Sequence, residues 1–552
     1  MKVMFIAMGA ENVSIEYLST VLKQQGHTVM LEFDRALFND KQYFSVNFLA
    51  KMFSDKKRVI RNIIQKQPDV LALSCFTDNY QWNASIAREV KKALDIPVII
   101  GGYHPTSAPD TCLEEGPFDF VCVGEGEVAL VQLLKILEKK KEEKQGVPGW
   151  YQDEEYPVGN IYYKRYGQAV KNSLLPNADP NTWPEPDKEI FESFIDIKNY
   201  YLTVTLKGCI QKCTFCGESF LWDHENTDNK LGKFLREKPV ETVLSEFKKM
   251  KARYDIKIAD IKNNILSGSK TWRREFLTRY KDEVAVPFRI MGHPLQMADK
   301  EYCQLLKDAH CWHVQMGVET MNSDVRKLLD RDETNEHVYQ SVANMDEVGL
   351  EYSCDFILGL PGETEEDIVR ALRMVTKAKK LRRASVFWLQ YLPGAGITKH
   401  ALEKGFINQS IDLSAINRGL QDHYMSTGSV LESERIHFLK MYHILFRLAP
   451  VMPYRLLEFI LKHKFQRVFK YVPMQTLIIA AIDVVVSYIK NDHYAKMAVR
   501  SVLKDAWKRL IHFQIDWLAP FRIKGKVTTS EQGVGGLTQL PSLQIGLSQI
   551  GE

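Results

Sequence analysis

Short apolar runs alternate with stretches of helical periodicity from Met1 to about Leu137. "KVMFIAM", "HTVMLEF", "DVLALSC", "IPVIIGG" and "FDFVCVG" read as five strands. "VMFIA", "VLALS" and "VIIG" within them are apolar on both faces, as strands of a buried parallel sheet are. Helical patterns, such as 14–25 and 83–94, lie between them. Repeated βα units predict a doubly wound, flavodoxin-like sheet that binds ligands at the carboxyl ends of its strands. From Tyr201 to about Gly394 the rhythm returns, with "YLTVTLKG", "IKIADIKNN", "VPFRIMG", "CWHVQMGVE", "EYSCDFILG" and "SVFWLQYLPG" as six strands. Helical patterns at 240–253, 300–309, 335–348 and 365–379 separate them. This predicts a partial (β/α)6 barrel, whose chemistry belongs at the same end of the strands.

Between the two units, residues 141–200 become charged and then broken by Gly and Pro. A hairpin fits within 150–170, and a proline-rich run follows, so the stretch reads as a linker. Residues 399–523 are helical in pattern, and 524–552 lack periodicity, as a flexible tail does. The fold class is therefore α/β: a Rossmann-like domain over 1–140, the linker, a barrel over 201–398 and a helical C-terminal domain.

Composition adds little. Apolar residues make up 45% and charged residues 26%, and the net charge is +4. That balance is ordinary for a globular chain and does not describe a nucleic-acid coat. The first residues turn polar too quickly for a signal peptide, and no window offers a spanning helix. A reducing cytoplasmic location without disulfides is expected. The helical C-terminal region is apolar, aromatic and basic. It reads either as a peripheral membrane contact or wall for a lipid-like substrate, or as a cap whose apolar faces pack on the barrel.

Nine cysteines are present, and three of them crowd into "LKGCIQKCTFCGES": Cys209, Cys213 and Cys216. They follow the first strand of the barrel. Thiolates select zinc or iron–sulfur clusters. Structural zinc wants four ligands, with His224 as a candidate fourth. A four-iron cluster held by three thiolates leaves one iron open. In the first domain, Ser74 ends the third strand and Gly101 and Gly102 end the fourth. Two glycines there allow a bulky ligand to pass close to the backbone, or simply make a tight turn.

CxxxCxxC in this position resembles the radical S-adenosylmethionine superfamily. "GGYHPT" and "FVCVGEGE" resemble the strand ends of its cobalamin-binding subgroup, which includes class B methyltransferases and the anaerobic tetrapyrrole cyclase. The likeness covers about residues 1–400. It implies a [4Fe-4S] cluster on Cys209, Cys213 and Cys216, with S-adenosylmethionine at the open iron and cobalamin on the first domain. By the same resemblance, Phe215 packs over the cluster or adenine, and Gly217 and Glu218 stand for the family's GGE-type segment. Glu319 contacts ribose or the amino group, or is a helix N-terminal carboxylate. Arg331 pairs with the cofactor carboxylate or makes a surface salt bridge. Gly359 and Pro361, in "FILGLPGET", belong to the segment that cradles adenine. For cobalamin the implied residues are Ser74, Phe76, Thr77, Gly101, Gly102, Tyr103, His104, Gly124, Glu125 and Gly126. The Asp-x-His-x-x-Gly loop is absent, so its His is not the lower ligand of cobalt.

The implied activity is radical hydrogen abstraction and methyl transfer from cobalamin to an unactivated carbon of a small or lipid-like substrate. Cyclisation or oxidation without methyl transfer is the alternative, and a zinc-stabilised binding protein is the third reading. An electron donor such as flavodoxin or ferredoxin is the implied partner. A methylthio-transferring relative would need a second cluster on Cys75, Cys112 and Cys122, two of which lie in apolar runs.

Overall fold

The computed structural model describes residues 1–40, 44–407, 412–419, 433–471, 475–512 and 514–517. The expected tail over 524–552 lies outside them. Two sheets organise the chain. The first joins β1 (Lys2–Met8), β2 (Thr28–Asp34), β3 (Val70–Ser74), β4 (Val98–Gly101), β5 (Phe120–Cys122), β6 (Ile161–Arg165) and β7 (Gln168–Lys171). Their spatial order is β2-β1-β3-β4-β5-β6-β7. The first five are parallel, in the flavodoxin-like order. β1 is apolar throughout because both of its faces are covered. Val3, Phe5 and Ala7 share one core with Ile15 and Leu133, while Met4 and Ile6 share the other with Val59 and Tyr80.

The strands β6 and β7 come from the stretch read as a linker. They form an antiparallel hairpin that extends the sheet beyond β5. Beyond it, the proline-rich run lies along the first helix (Val13–Gln24). Ser19 Oγ donates to Asp187 at 2.6 Å, and Thr20 Oγ1 to the carbonyl of Glu185 at 2.6 Å.

The second sheet is wholly parallel and follows sequence order, as a partial barrel does. Its strands are β8 (Tyr201–Thr203), β9 (Ala259–Ile261), β10 (Phe288–Gly292), β11 (Cys311–Glu319), β12 (Glu351–Leu358) and β13 (Leu381–Trp388). Ile261, Ile290, Met316, Phe356 and Val386 face the surrounding helices in the largest core. The alternate positions Asp260, Arg289, Gln315 and Asp355 are buried and polar. Gln315 Nε2 donates to Asp355 Oδ2 at 2.5 Å and Gln315 Oε1 accepts from Arg289, so Gln315 links two of these polar groups. Strand β13 begins before the run "SVFWLQYLPG" because Arg382 and Arg383 belong to it. Arg382 donates to the carbonyl of Lys490 at 2.7 Å, and Arg383 pairs with Asp492 at 3.5 Å.

Those partners come from the C-terminal helices, which are a cap. Leu439, Tyr442, Leu445 and Phe446 of the helix Ser433–Leu448 join the barrel core. The helix His493–Ile511 reaches the first domain, where Arg509 donates to the carbonyl of Phe53 at 2.6 Å and pairs with Asp55. Among the described residues, no helix is long and apolar enough to cross a membrane.

Lys188 ties the two sheets together. It is 2% exposed, and its ammonium donates to Glu11 at 2.7 Å, Glu16 at 2.6 Å and the carbonyl of Leu202 at 2.6 Å. The two carboxylates belong to the first domain and the carbonyl to β8. Burial raises the pKa of Glu16 and Lys188 opposes it. Lys188→Met leaves both carboxylates without their cation and is expected to cost about 3–5 kcal/mol. Thermal or denaturant unfolding should show the first transition moving sharply down.

Candidate active site

Strand β8 runs through a short antiparallel pairing of Leu206–Lys207 with Arg236–Glu237 into the cysteine loop. At Gly208 φ is +86° and a Cβ would lie 2.5 Å from the carbonyl oxygen of Phe234, so the turn needs glycine. Cys209 and Cys213 are buried and Cys216 is half-buried. Thr214 anchors the loop on both sides. Its N–H donates to the carbonyl of Leu329 at 3.0 Å, its hydroxyl to that of Leu328 at 2.9 Å, and its carbonyl accepts from Ile397 at 2.8 Å. The neighbours after β11 and β13 thus hold the loop. Phe215, expected over the cluster or adenine, packs against the apolar group of Leu329, Ile357, Leu360 and Ile397.

Burial raises all three thiols, Cys209 to about 12. Metal-free, they are neutral; a coordinated metal supplies the positive charge that makes thiolates of them. No three His, Cys, Asp or Glu side chains among the described residues gather around one point as a single ion requires. His224 stacks on Phe220 with centroids 5.4 Å apart.

Arg331 reaches the loop from beyond β11. Nη1 lies 3.7 Å from Cys213 Sγ, Nη2 donates to the carbonyl of Gly317 at 2.7 Å, and Nε donates to Glu333 Oε1 at 2.5 Å. It was expected to face a cofactor carboxylate or a surface partner. It is buried rather than at the surface, and Glu333, a residue that sequence reasoning missed, pairs with it. Glu319 ends β11 beside a register shift, with φ +65° and its carboxylate 3.7 Å from Arg331. Left-handed backbone at a non-glycine residue is strained and concentrates at functional sites. Glu319 is not a helix cap, since Asn322 caps the following helix, Ser323–Leu328. Burial holds the Glu319 carboxyl up at about 8 although Arg331 opposes it.

The carboxyl ends of the two sheets meet at this loop. Tyr103, after β4, donates its hydroxyl to Glu218, and its ring lies 3.6 Å from where a Cβ on Gly217 would stand. Phe76, after β3, stacks on Tyr103 with centroids 5.5 Å apart. Both rings are exposed, at 47% and 38%. They form an open aromatic surface beside the cysteines. Glu218 itself is buried, which raises its carboxyl, and its Oε2 makes no hydrogen bond among the described residues.

The other first-domain residues divide. Ser74 pairs in register with Gly101, and its hydroxyl accepts from Asn12 Nδ2 at 2.9 Å across the switch in strand order. A Cβ on Gly101 would lie 3.2 Å from that of Cys122. One on Gly102, at φ +112°, would lie 2.7 Å from the carbonyl oxygen of Cys75. The protein's own packing therefore demands glycine at 102 and is tight at 101, whatever binds above them. Gly124 donates its N–H to Thr106 at 3.0 Å, and Gly126 precedes the helix Glu127–Glu143. Glu125 was expected at the cobalamin. Its carboxylate is occupied by Lys207 at 2.8 Å, Arg236 at 3.0 Å and the N–H of Ala178 at 2.7 Å, so it bridges to the barrel side. Gly359 turns with φ +89° ahead of Pro361 and the Thr364-capped helix Glu365–Lys377. Cys75 and Cys112 lie in one core and Cys122 in the other, so they build no second site.

His104 was a candidate near cobalt. It is fully buried, with Nδ1 3.1 Å from Thr77 Oγ1 and its ring against Tyr80. Burial lowers its pKa from 6.5 to about 4. The unfolded chain binds this proton more readily, so stability falls as pH drops from about 6.5 towards 4. The loss should reach about 3 kcal/mol. His104→Gln is expected to remove that part of the dependence, as denaturation curves at pH 7 and pH 5 would show.

Two family models match the chain: the B12 binding domain over residues 7–134 and the radical SAM superfamily over residues 203–375. Cytidylyl-2-hydroxyethylphosphonate methyltransferase of Streptomyces wedmorensis is 22% identical over 427 residues, covering 71% of this chain and 78% of that one. Anaerobic magnesium-protoporphyrin IX monomethyl ester cyclase of Rubrivivax gelatinosus is 22% identical over 391 residues, covering 69% and 64%. The solved structure of the cobalamin-dependent S-adenosylmethionine radical enzyme OxsB superposes with a TM-score of 0.59 at 14% identity, covering 93% of this chain and 81% of that one. With the cysteine loop at the head of the second sheet, the chain belongs to the cobalamin-binding radical S-adenosylmethionine enzymes, a B12-binding domain followed by a radical SAM domain.

Proposed function

We propose that this enzyme transfers a methyl group to an unactivated carbon of a small or lipid-like molecule. The carrying observation is the meeting of the two strand-end surfaces, where Tyr103 of the first domain stands over Gly217 and bonds Glu218 beside the cysteines. A methyl carrier on the first domain and a radical source on the barrel would then face one another. Cobalamin, a [4Fe-4S] cluster and S-adenosylmethionine supply methyl transfer and hydrogen abstraction when bound.

The residues have the following proposed roles. Cys209, Cys213 and Cys216 hold the cluster, and their raised thiols fit a site that ionises only on metal binding. Gly217, Glu218 and Glu319 face S-adenosylmethionine, with the unpartnered oxygen of Glu218 available to a donor. The turn at Gly359 and Pro361 lies at the adenine side. Ser74, Phe76, Thr77, Gly101, Gly102, Tyr103, Gly124 and Gly126 border the corrinoid. A low-potential donor of the flavodoxin or ferredoxin class delivers the electron in the cytoplasm.

Cyclisation without methyl transfer is the second reading, favoured by the cyclase relative. Anaerobic incubation with reductant, cobalamin, methyl-labelled S-adenosylmethionine and cell extracts separates the two. Label in a product supports methylation. 5′-Deoxyadenosine without S-adenosylhomocysteine supports the second reading. Cys209→Ala, Cys213→Ala and Cys216→Ala should each abolish 5′-deoxyadenosine formation, measured by chromatography, and full formation in any of them would contradict the cluster assignment.

A further inference from the structure

The guanidinium of Arg331 has a direction that methyl transfer alone does not explain. It is buried, and its donors are distributed among Cys213 Sγ, the carbonyl of Gly317 and the carboxylate of Glu333. Glu333 is buried too and faces Arg326 at 3.7 Å and His293 at 3.4 Å. Burial and the two guanidiniums push His293 down to about 2, so it adds no charge. Burial also holds Glu319, the other carboxylate near Arg331, mostly protonated at neutral pH. Two guanidiniums therefore face one dependable anion, and the surplus positive charge sits against the middle cysteine.

We propose that Arg331, held in place by Glu333, sets the reduction potential of the cluster by donating an N–H to the Cys213 thiolate. This rests on the assignment of the three cysteines to a cluster. Reduction adds one electron from the low-potential donor and takes up no proton, so the thiolate sulfurs become more negative. A charge-assisted donor strengthens as its acceptor gains charge. Hydrogen bonds to the sulfurs and nearby charge are known levers on such potentials. Arg331 stabilises the reduced form and raises the potential. The sequence holds the two partners in "DRDET", where Glu333 follows Arg331 by two residues. Glu333 is a positioning residue, since it acts through Arg331.

The test is an EPR-monitored redox titration of the holoenzyme without substrate, with iron analysis alongside. Arg331→Gln should shift the midpoint negative by at least about 59 mV, tenfold in a one-electron equilibrium. Arg331→Lys, which keeps the charge but loses the fork, should lie between that variant and wild type. An unchanged or raised midpoint in the Gln variant overturns the proposal. If that variant fails to load iron, wild-type protein labelled with [15N]arginine decides. Pulsed EPR of the reduced cluster should show coupling to an arginine nitrogen, and its absence overturns the proposal. Wild-type protein that holds no iron would instead bring down the cluster assignment itself.

Discussion

One buried ammonium organises this molecule. Lys188 leaves the proline-rich run and places its charge between Glu11 and Glu16 of the first domain and the carbonyl of Leu202 on the barrel's first strand. A buried charge is tolerable only when fully partnered. The three partners belong to two separate domains, so satisfying Lys188 fixes how the domains sit. Glu125 with Lys207 and Arg236 repeats the device nearer the site. Everything at the junction follows from that orientation, including the reach of Tyr103 to Glu218.

The site itself is a problem in desolvation. Burying three thiols and two carboxylates raises the pKa of each, so without bound groups the pocket works against negative charge on them. Arg331 is the exception, kept charged by Glu333. A guanidinium clamped against the middle cysteine is placed to favour added negative charge, which is what electron input brings.

Much of this was legible in the sequence. Strands covered on both faces announce themselves by unbroken apolar runs, and "VMFIA" and "VLALS" were readable for that reason. The cysteine spacing is local and needs no tertiary information. What was hidden depends on distant partners. Arg382 and Arg383 look like loop until Lys490 and Asp492 arrive from the C-terminal helices. Glu125 looks like a ligand residue until Lys207 and Arg236 claim it. Gly102 looks like room for a cofactor, yet the Cys75 backbone already requires it. Residues 161–171 read as spacer because a hairpin's membership of a sheet is decided by the edge strand it meets.

The central claim is that two cofactor surfaces, one on each sheet, meet across Tyr103 and Glu218. Its most direct test is EPR of the full chain loaded with both cob(II)alamin and the reduced cluster, two paramagnets. The account predicts that each signal is broadened and relaxes faster than in protein carrying only one of them. Two signals that superpose on those of the singly loaded forms would contradict it.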